Sequence, residues 1–369
     1  MLRSVFLIPA LLTAAFAGDS HLGDIHQLTH GGQNAEAYWS PDGQRLIFQS
    51  TRPPHACDQM YIMNADGSHQ HMVSTGKGRT TCGYFLKDNR HIIYASTHAA
   101  ADACPPPPDR SHGYVWGVFA GYDIYLATDT GNILKRLTDT PGYDAEGTVN
   151  WKTDTIVYTS LASGDLDLWT MKTDGSRKRQ ITQKPGYDGG AVFSRDGQKL
   201  VWRANYPKTP EDMARYKSLL ADNLTAPMKM EIVVAGGDGR NPKTPEDMAR
   251  YKSLLADNLT APMKMEIVVA DGDGRNPKTI TNFGCASFAP TFTPDGRKIL
   301  FASNKHACDT RRFELYMMNL DGSGLEQVTD FGGFTSFPEI SPDGHTLVFC
   351  SDRGAKEKYE FNIFTAAWR

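Results

Sequence analysis

Four carboxylates break an internal repeat of this chain. Glu36, Asp144, Glu146 and Asp188 fall in two columns when its six copies are aligned. One column reads Glu36, Cys82, Glu146, Gly190, Ala289, Phe337; the other, two residues earlier, reads Asn34, Thr80, Asp144, Asp188, Ser287, Thr335. Both lie at the start of a short apolar run. Period two puts residues i and i+2 on one side of a strand. If that side faces a common axis, the carboxylates ring the mouth of a channel as a ligand site. A hydrated polar rim gives the same pattern, and the residue types leave both readings open.

Basic residues gather where the next run ends: Arg52, His98, Lys305, His306 and Arg353. These positions share a face with the acidic columns. Arg203 sits one residue earlier, where burial demands a carboxylate partner; Glu146 or Asp188 is expected to supply it, as a structural ion pair or as part of the site. His112, Tyr114 and Trp116 lie in an insertion that could fold over the mouth. They would stack there on a sugar or peptide, or simply anchor the insertion. A divalent metal is conceivable because histidines and carboxylates share this face. There is no H-E-x-x-H and no tight ligand spacing, so no cofactor is assigned. His21, Asp24, His26 and His30 are expected to be exposed. No catalytic residue is identifiable.

Columns that recur unchanged carry structure. Gln59, Asp123, Asp167, Glu266, Glu314 and Asn362 each begin a third run, and a polar group needed in every copy is most simply a backbone cap. The same holds for Ser50, Ser96, Ser160, Ser303 and Ser351.

The elements that position these residues are strands. Residues 36–68 hold three short apolar runs with Asp42-Gly43 and Asp66-Gly67 between them, the signature of type I′ hairpin turns. Large residues recur at the end of the first run (Trp39, Phe85, Val149, Phe193, Phe292, Ile340). They recur again in the second (Phe48, Tyr94, Tyr158, Trp202, Phe301, Phe349) and in the third (Tyr61, Tyr125, Trp169, Val268, Tyr316, Phe364). Polar outer strands follow, such as 134–138 and 325–329. The sixth is missing at the C-terminal end and is found at 25–29 instead. The pattern predicts an all-β protein, a six-bladed β-propeller of four-stranded blades. Its N-terminal strand completes the last blade and removes free edges at the seam.

Two copies carry insertions between their second and third strands. Residues 97–121 are stiffened by four prolines. The other, in blade 4, predicts a helix with Thr209 as N-cap, Pro210 at N1, and Met213, Tyr216, Leu219 and Leu220 on one face. Both should rise over the same face. Residues 207–241 recur as 242–276, differing only at Gly236 versus Asp271. The second copy should provide the third strand of blade 4 and the first an extra loop and helix, or the reverse.

Formal net charge is −3, with no basic cluster for nucleic acid and no basic amphipathic helix for a membrane surface. Residues 1–17 read as an export signal: Arg3, an apolar run from Val5 to Leu12, and Ala15-Phe16-Ala17 for cleavage. No segment is apolar and long enough to span a bilayer. A periplasmic or secreted single-domain monomer, residues 18–369, is expected. Six cysteines would then meet an oxidising compartment. Cys57 and Cys82 fall in neighbouring loops of one face, so a Cys57–Cys82 bridge or two separate thiols are both open.

The SPDG turns (Ser40 to Gly43, Ser341 to Gly344), the Tyr-x-Met-Asn-x-Asp-Gly-Ser strand ends and the x-Leu-Thr outer strands resemble the TolB-like β-propeller repeat family over nearly the whole mature chain. The resemblance implies the fold. Such repeats occur in binding proteins, peptidase propellers and lyases. TolB proper carries an α/β domain before its propeller and works in the Tol–Pal system; with about eight residues between signal and first strand, that role is not expected here. Peptidase relatives add a hydrolase domain, and no G-x-S-x-G elbow occurs in this sequence. Oligogalacturonate lyases resemble the repeat type and use a His-rich metal site, whose ligands cannot be placed on this chain. The expected function is binding or scaffolding of a peptide, glycan or envelope protein at the insert-covered face. The alternative is a lyase or hydrolase acting on an acidic oligosaccharide or peptide.

Overall fold

A computed structural model describes residues 21–108, 115–225, 265–308 and 310–369. The expected export signal, His112, Tyr114 and most of the duplicated segment lie outside the described residues.

Six four-stranded antiparallel sheets form the chain. In the first, Gln33–Trp39, Arg45–Thr51, Gln59–Asn64 and His71–Met72 follow one another outward. The inner strands touch their neighbours in cyclic order, from Gln33–Trp39 round to Thr335–Ile340 and back. The last sheet takes its outer strand from the other end of the chain: Leu22–Gln27 pairs with Asn362–Trp368, Ile25 opposite Ala366 and Gln27 opposite Phe364. The protein is therefore a six-bladed propeller closed by its N-terminal strand.

The apolar columns are the packing between blades. Phe48, Tyr94, Trp202, Phe301 and Phe349 are almost wholly buried. Ile47, Met60 and Ile62 of blade 1 pack on Phe85, Ile92 and Tyr94 of blade 2. A second recurring device ties each outer strand to the third. The first residue of the third strand accepts a hydrogen bond from a threonine or serine hydroxyl, as Glu314 does from Thr329 (2.5 Å) and Asn362 from Thr29 (3.1 Å). That hydroxyl in turn accepts the next backbone N–H, Leu315 at 2.9 Å and Ile363 at 2.8 Å. Gln59/Ser74, Asp123/Thr138, Asp167/Thr182 and Glu266/Thr281 repeat it. The recurrent polar column is thus a clasp within each blade.

Two expectations are corrected. The first hairpins are not type I′, which needs φ > 0 at both central residues. Only Gly43 (φ 70) and Gly67 (φ 84) are left-handed. Gly43 N–H returns to Ser40 C=O (2.8 Å), and Asp42 caps the Gln44 N–H, giving a turn that closes on a single left-handed glycine. The disulfides are Cys57–Cys104 and Cys285–Cys308. Cys82 is a free thiol because a left-handed residue there (φ 52) turns its side chain to the axis, away from Cys57.

The inserts rise over one face and meet. Trp116–Gly117 from blade 2 pairs antiparallel with Leu224–Thr225, which follows the helix Pro210–Ala221 of blade 4. Thr209 caps that helix by accepting the Asp212 N–H at 3.1 Å. Tyr216 and Leu219 are buried beneath it. The third strand of blade 4, Glu266–Asp271, comes from the second duplicated copy and the helix from the first.

Candidate functional site

All six inner strands carry the same distortion. Glu36, Cys82, Glu146, Gly190, Ala289 and Phe337 have φ between 49° and 60°. The pairing register shifts at each of these points. This is a β-bulge, and it cancels period two across it. The residues at the bulge and two places beyond it line the channel. The residues two places before it turn into the blade. The channel wall therefore has two rings, Glu36 to Phe337 and, below it, Tyr38, Tyr84, Thr148, Val192, Thr291 and Glu339.

On the upper ring Glu146 is saturated. It accepts from Thr159 Oγ1 (2.8 Å), Tyr187 OH (3.0 Å), Gly190 N–H (2.7 Å) and Arg203 Nη2. Arg203 also donates Nε–H to Tyr187 OH at 2.9 Å and lies 4.9 Å from the centre of the Trp116 ring. Burial opposes the guanidinium charge, yet Glu146 and Tyr187 hold Arg203 well above its ordinary value. Two glycines make room: a Cβ on Gly190 would lie 2.9 Å from Arg203 Nη1, and one on Gly189 would lie 2.3 Å from Glu146 Oε2. Trp116 brings the roof of paired inserts onto this pair.

Glu36 is less satisfied. Cys82 Sγ donates to it at 3.3 Å. Burial pushes its carboxyl up to about 7, with Arg203 pulling the other way. The Cys82 thiol is raised well above its ordinary range by burial and by Glu36 and Glu146 beside it, so it is a poor nucleophile. A cavity of about 40 Å³ lies among Glu36, Glu146, Arg203, Phe337 and Glu339. Below it a second cavity of about 60 Å³ opens toward the hairpin-turn face between Trp39, Tyr84, Trp151 and Arg195. Glu339, Val192 and Thr291 line both. The Glu339 carboxylate accepts the Trp39 N–H at 2.7 Å and Tyr84 OH at 3.4 Å, and burial raises it to about 7.

The structure thus brings Glu36, Glu146 and Arg203 together in the channel and places the other described candidates elsewhere. Asp144 bonds Thr140 within blade 3. Asp188 accepts Trp202 Nε1–H (2.7 Å) and Tyr206 OH (2.6 Å) inside blade 4, and burial raises it to about 7. The basic set folds onto aromatic rings: Arg52 on Tyr61 (4.0 Å), His98 on Tyr125 (4.3 Å), His306 on Tyr316 (5.6 Å) and Arg353 on Phe331 (4.8 Å). Burial, with Arg136 and Lys77 nearby, lowers His98. Glu339 escaped the sequence reading. The test that picked out Glu36, applied one column further, finds a carboxylate among Tyr, Thr and Val. Among the described residues, no group of three or more His, Cys, Asp or Glu is arranged to hold a metal ion. No described helix is long and apolar enough to cross a membrane.

Comparison with known proteins fits this architecture. Residues 259–365 match the TolB β-propeller domain family. A putative TolB from Agrobacterium tumefaciens superposes with a TM-score of 0.54 over 94% of this chain and 97% of its own, at 16% identity. TolB from Acinetobacter baumannii gives 0.51 over 91% of this chain and 63% of its own, at 14% identity. In sequence, dipeptidyl-peptidase 5 of Porphyromonas endodontalis is 31% identical over 84 residues. That stretch is 22% of this chain and 12% of the peptidase, well short of either whole protein. At such identities the structural likeness shows the fold alone. With its six clasped blades, the chain is a six-bladed β-propeller that matches the TolB β-propeller domain over residues 259–365.

Proposed function

We propose that the protein is an exported, non-catalytic binding or scaffold protein. Its partner, a peptide, a glycan or an envelope protein, docks on the face carrying the two inserts. One observation supports this most: Trp116–Gly117 and Leu224–Thr225 join inserts from blades 2 and 4 into a roof over the channel. Cys57–Cys104 fastens the blade 2 insert to blade 1. A preformed surface of this kind keeps the ordering cost of association low. Beneath it the Glu146 and Arg203 groups are spent on each other, and Cys82 is held as a thiol.

The test is a thermal-melt screen of the mature protein against acidic and neutral oligosaccharides, envelope peptides and divalent metals, with a chelator control. A ligand at a hundred times its dissociation constant adds roughly 2.7 kcal/mol. The proposal expects a melting shift that Trp116→Ala removes, with no product formed. Turnover of any of these compounds that Glu146→Gln abolishes, in a variant that still folds, would replace it with the enzymatic reading.

A further inference from the structure

The cavity at the hairpin-turn face, opposite the inserts, has its own chemistry. Its walls are Trp39, Tyr84, Trp151 and Phe193, and its floor is the Glu339 carboxylate. Trp151 is fixed by its Nε1–H to Phe85 C=O (2.8 Å) and packs at a tilt against Tyr84 (5.8 Å between ring centres, 37° between planes). Glu339 Oε2 holds the Trp39 N–H, while Oε1 has only a long contact to Tyr84 OH. The nearby cation, Arg195, spends its guanidinium on the carbonyls of Ser341 and Pro342 across the mouth. Glu339 therefore has acceptor capacity and, among the described residues, no ion-pair partner. A carboxylate below aromatic faces attracts a cation twice, by its charge and by the rings' negative faces.

We propose that this mouth binds a primary alkylammonium ion, with Glu339 as its counter-charge and Trp39, Tyr84 and Trp151 as its walls. The cavity of about 60 Å³ suits the guest. At roughly 10–15 Å³ for each water-sized centre it holds about four to six non-hydrogen atoms. A straight four-carbon chain ending in an ammonium group has five non-hydrogen atoms, within that range, and would place the ammonium on Oε1. A quaternary ammonium carries no N–H to donate to Oε1. The ligand chemistry is thus a free, protonated, unbranched amine.

Calorimetric titration of the protein at pH 8 with n-butylammonium chloride tests this, against sodium chloride at equal ionic strength, n-butanol and tetramethylammonium chloride. Saturable heat is expected with n-butylammonium alone. Glu339→Gln keeps an acceptor for the Trp39 N–H and should weaken binding by about tenfold or more. Trp151→Leu should weaken it too, and Glu339→Asp, which keeps the charge, should retain part of it. No saturable heat with n-butylammonium overturns the proposal. So does equal binding of n-butanol, which needs no variant to interpret, and so does unchanged affinity in folded Glu339→Gln.

Discussion

Glu146 and Arg203 meet on the channel wall across 57 residues of sequence, and Gly189 and Gly190 leave the space in which they meet. Removing one partner strands a buried charge, which costs about 3–5 kcal/mol. Arg203→Met and Glu146→Gln should each lower the urea midpoint accordingly. Gly190→Ala should act through the same pair, because its Cβ would sit 2.9 Å from the guanidinium. A double variant, Gly190→Ala with Arg203→Met, should then lose less than the sum of the two. Additive losses would show that the glycine serves something else.

Acidity should stabilise this protein over a defined window. Burial raises Glu36 and Glu339 from an ordinary 4.5 to about 7, and Asp188 from 3.8 to about 7. The folded state therefore keeps these protons when the unfolded chain has lost them. Their stabilisation is full below pH 4, declines as pH rises through 7, and is gone above it. Glu36 and Glu339 each contribute up to about 3 kcal/mol and Asp188 up to about 4 kcal/mol. Melting temperature at pH 5 should exceed that at pH 8, and Glu36→Gln or Glu339→Gln should flatten the slope. A steeper slope in the variants would contradict this account.

The clasp predicts a hydroxyl effect separable from packing. Thr329 is buried, donates to Glu314 and accepts from Leu315 N–H. Thr329→Val keeps the shape but leaves the Leu315 N–H without its acceptor and removes the donor to Glu314 Oε2, while Oε1 still accepts the Gly332 N–H, a cost of about 1–3 kcal/mol. Thr329→Ser keeps the hydroxyl and should lose less. Chemical denaturation of the pair would show whether the hydroxyl or the methyl matters.

Fastening of the roof can be read by protease. Cys57→Ser with Cys104→Ser should leave the blades folded but open the 97–121 insert to limited proteolysis. The bridge closes a loop across a separation of 47 residues, and losing it costs about 2–4 kcal/mol. Cys82, half-buried against Glu36 and held as a thiol, should react with alkylating reagents far more slowly in the native protein than after unfolding. Fast labelling of Cys82 in the native protein would contradict its place on the channel wall.

The fold was legible in the sequence because it is repeated. Trp39 with its five counterparts, and Phe48 with its five, mark strands whose neighbours in space are their neighbours in sequence. The N-terminal strand was legible for the same reason, as the outer strand the last copy lacks. The site was legible only in part. Period two was extended through a bulge whose residues, apart from Gly190, carry no left-handed signature; Glu36, Ala289 and Phe337 adopt positive φ because the ring demands it. That one distortion moved Asp144 and Asp188 out of the channel. The pairing of Arg203 with Glu146 followed from burial and charge alone. Cys57 met Cys104 because an insert of uneven length, invisible to repeat alignment, folds back to it.

The seam has a consequence for how the molecule comes into being. Thr29 bonds Asn362 across 333 residues, so the first strand has no partner until the last strand exists. During synthesis the earliest strand waits as a bare edge while five blades form beside it. Contacts of such separation are slow to close. In a crowded population, a waiting strand can be taken up by another copy's unfinished sixth blade. The latch that makes the ring whole is thus also the place where two rings can become entangled.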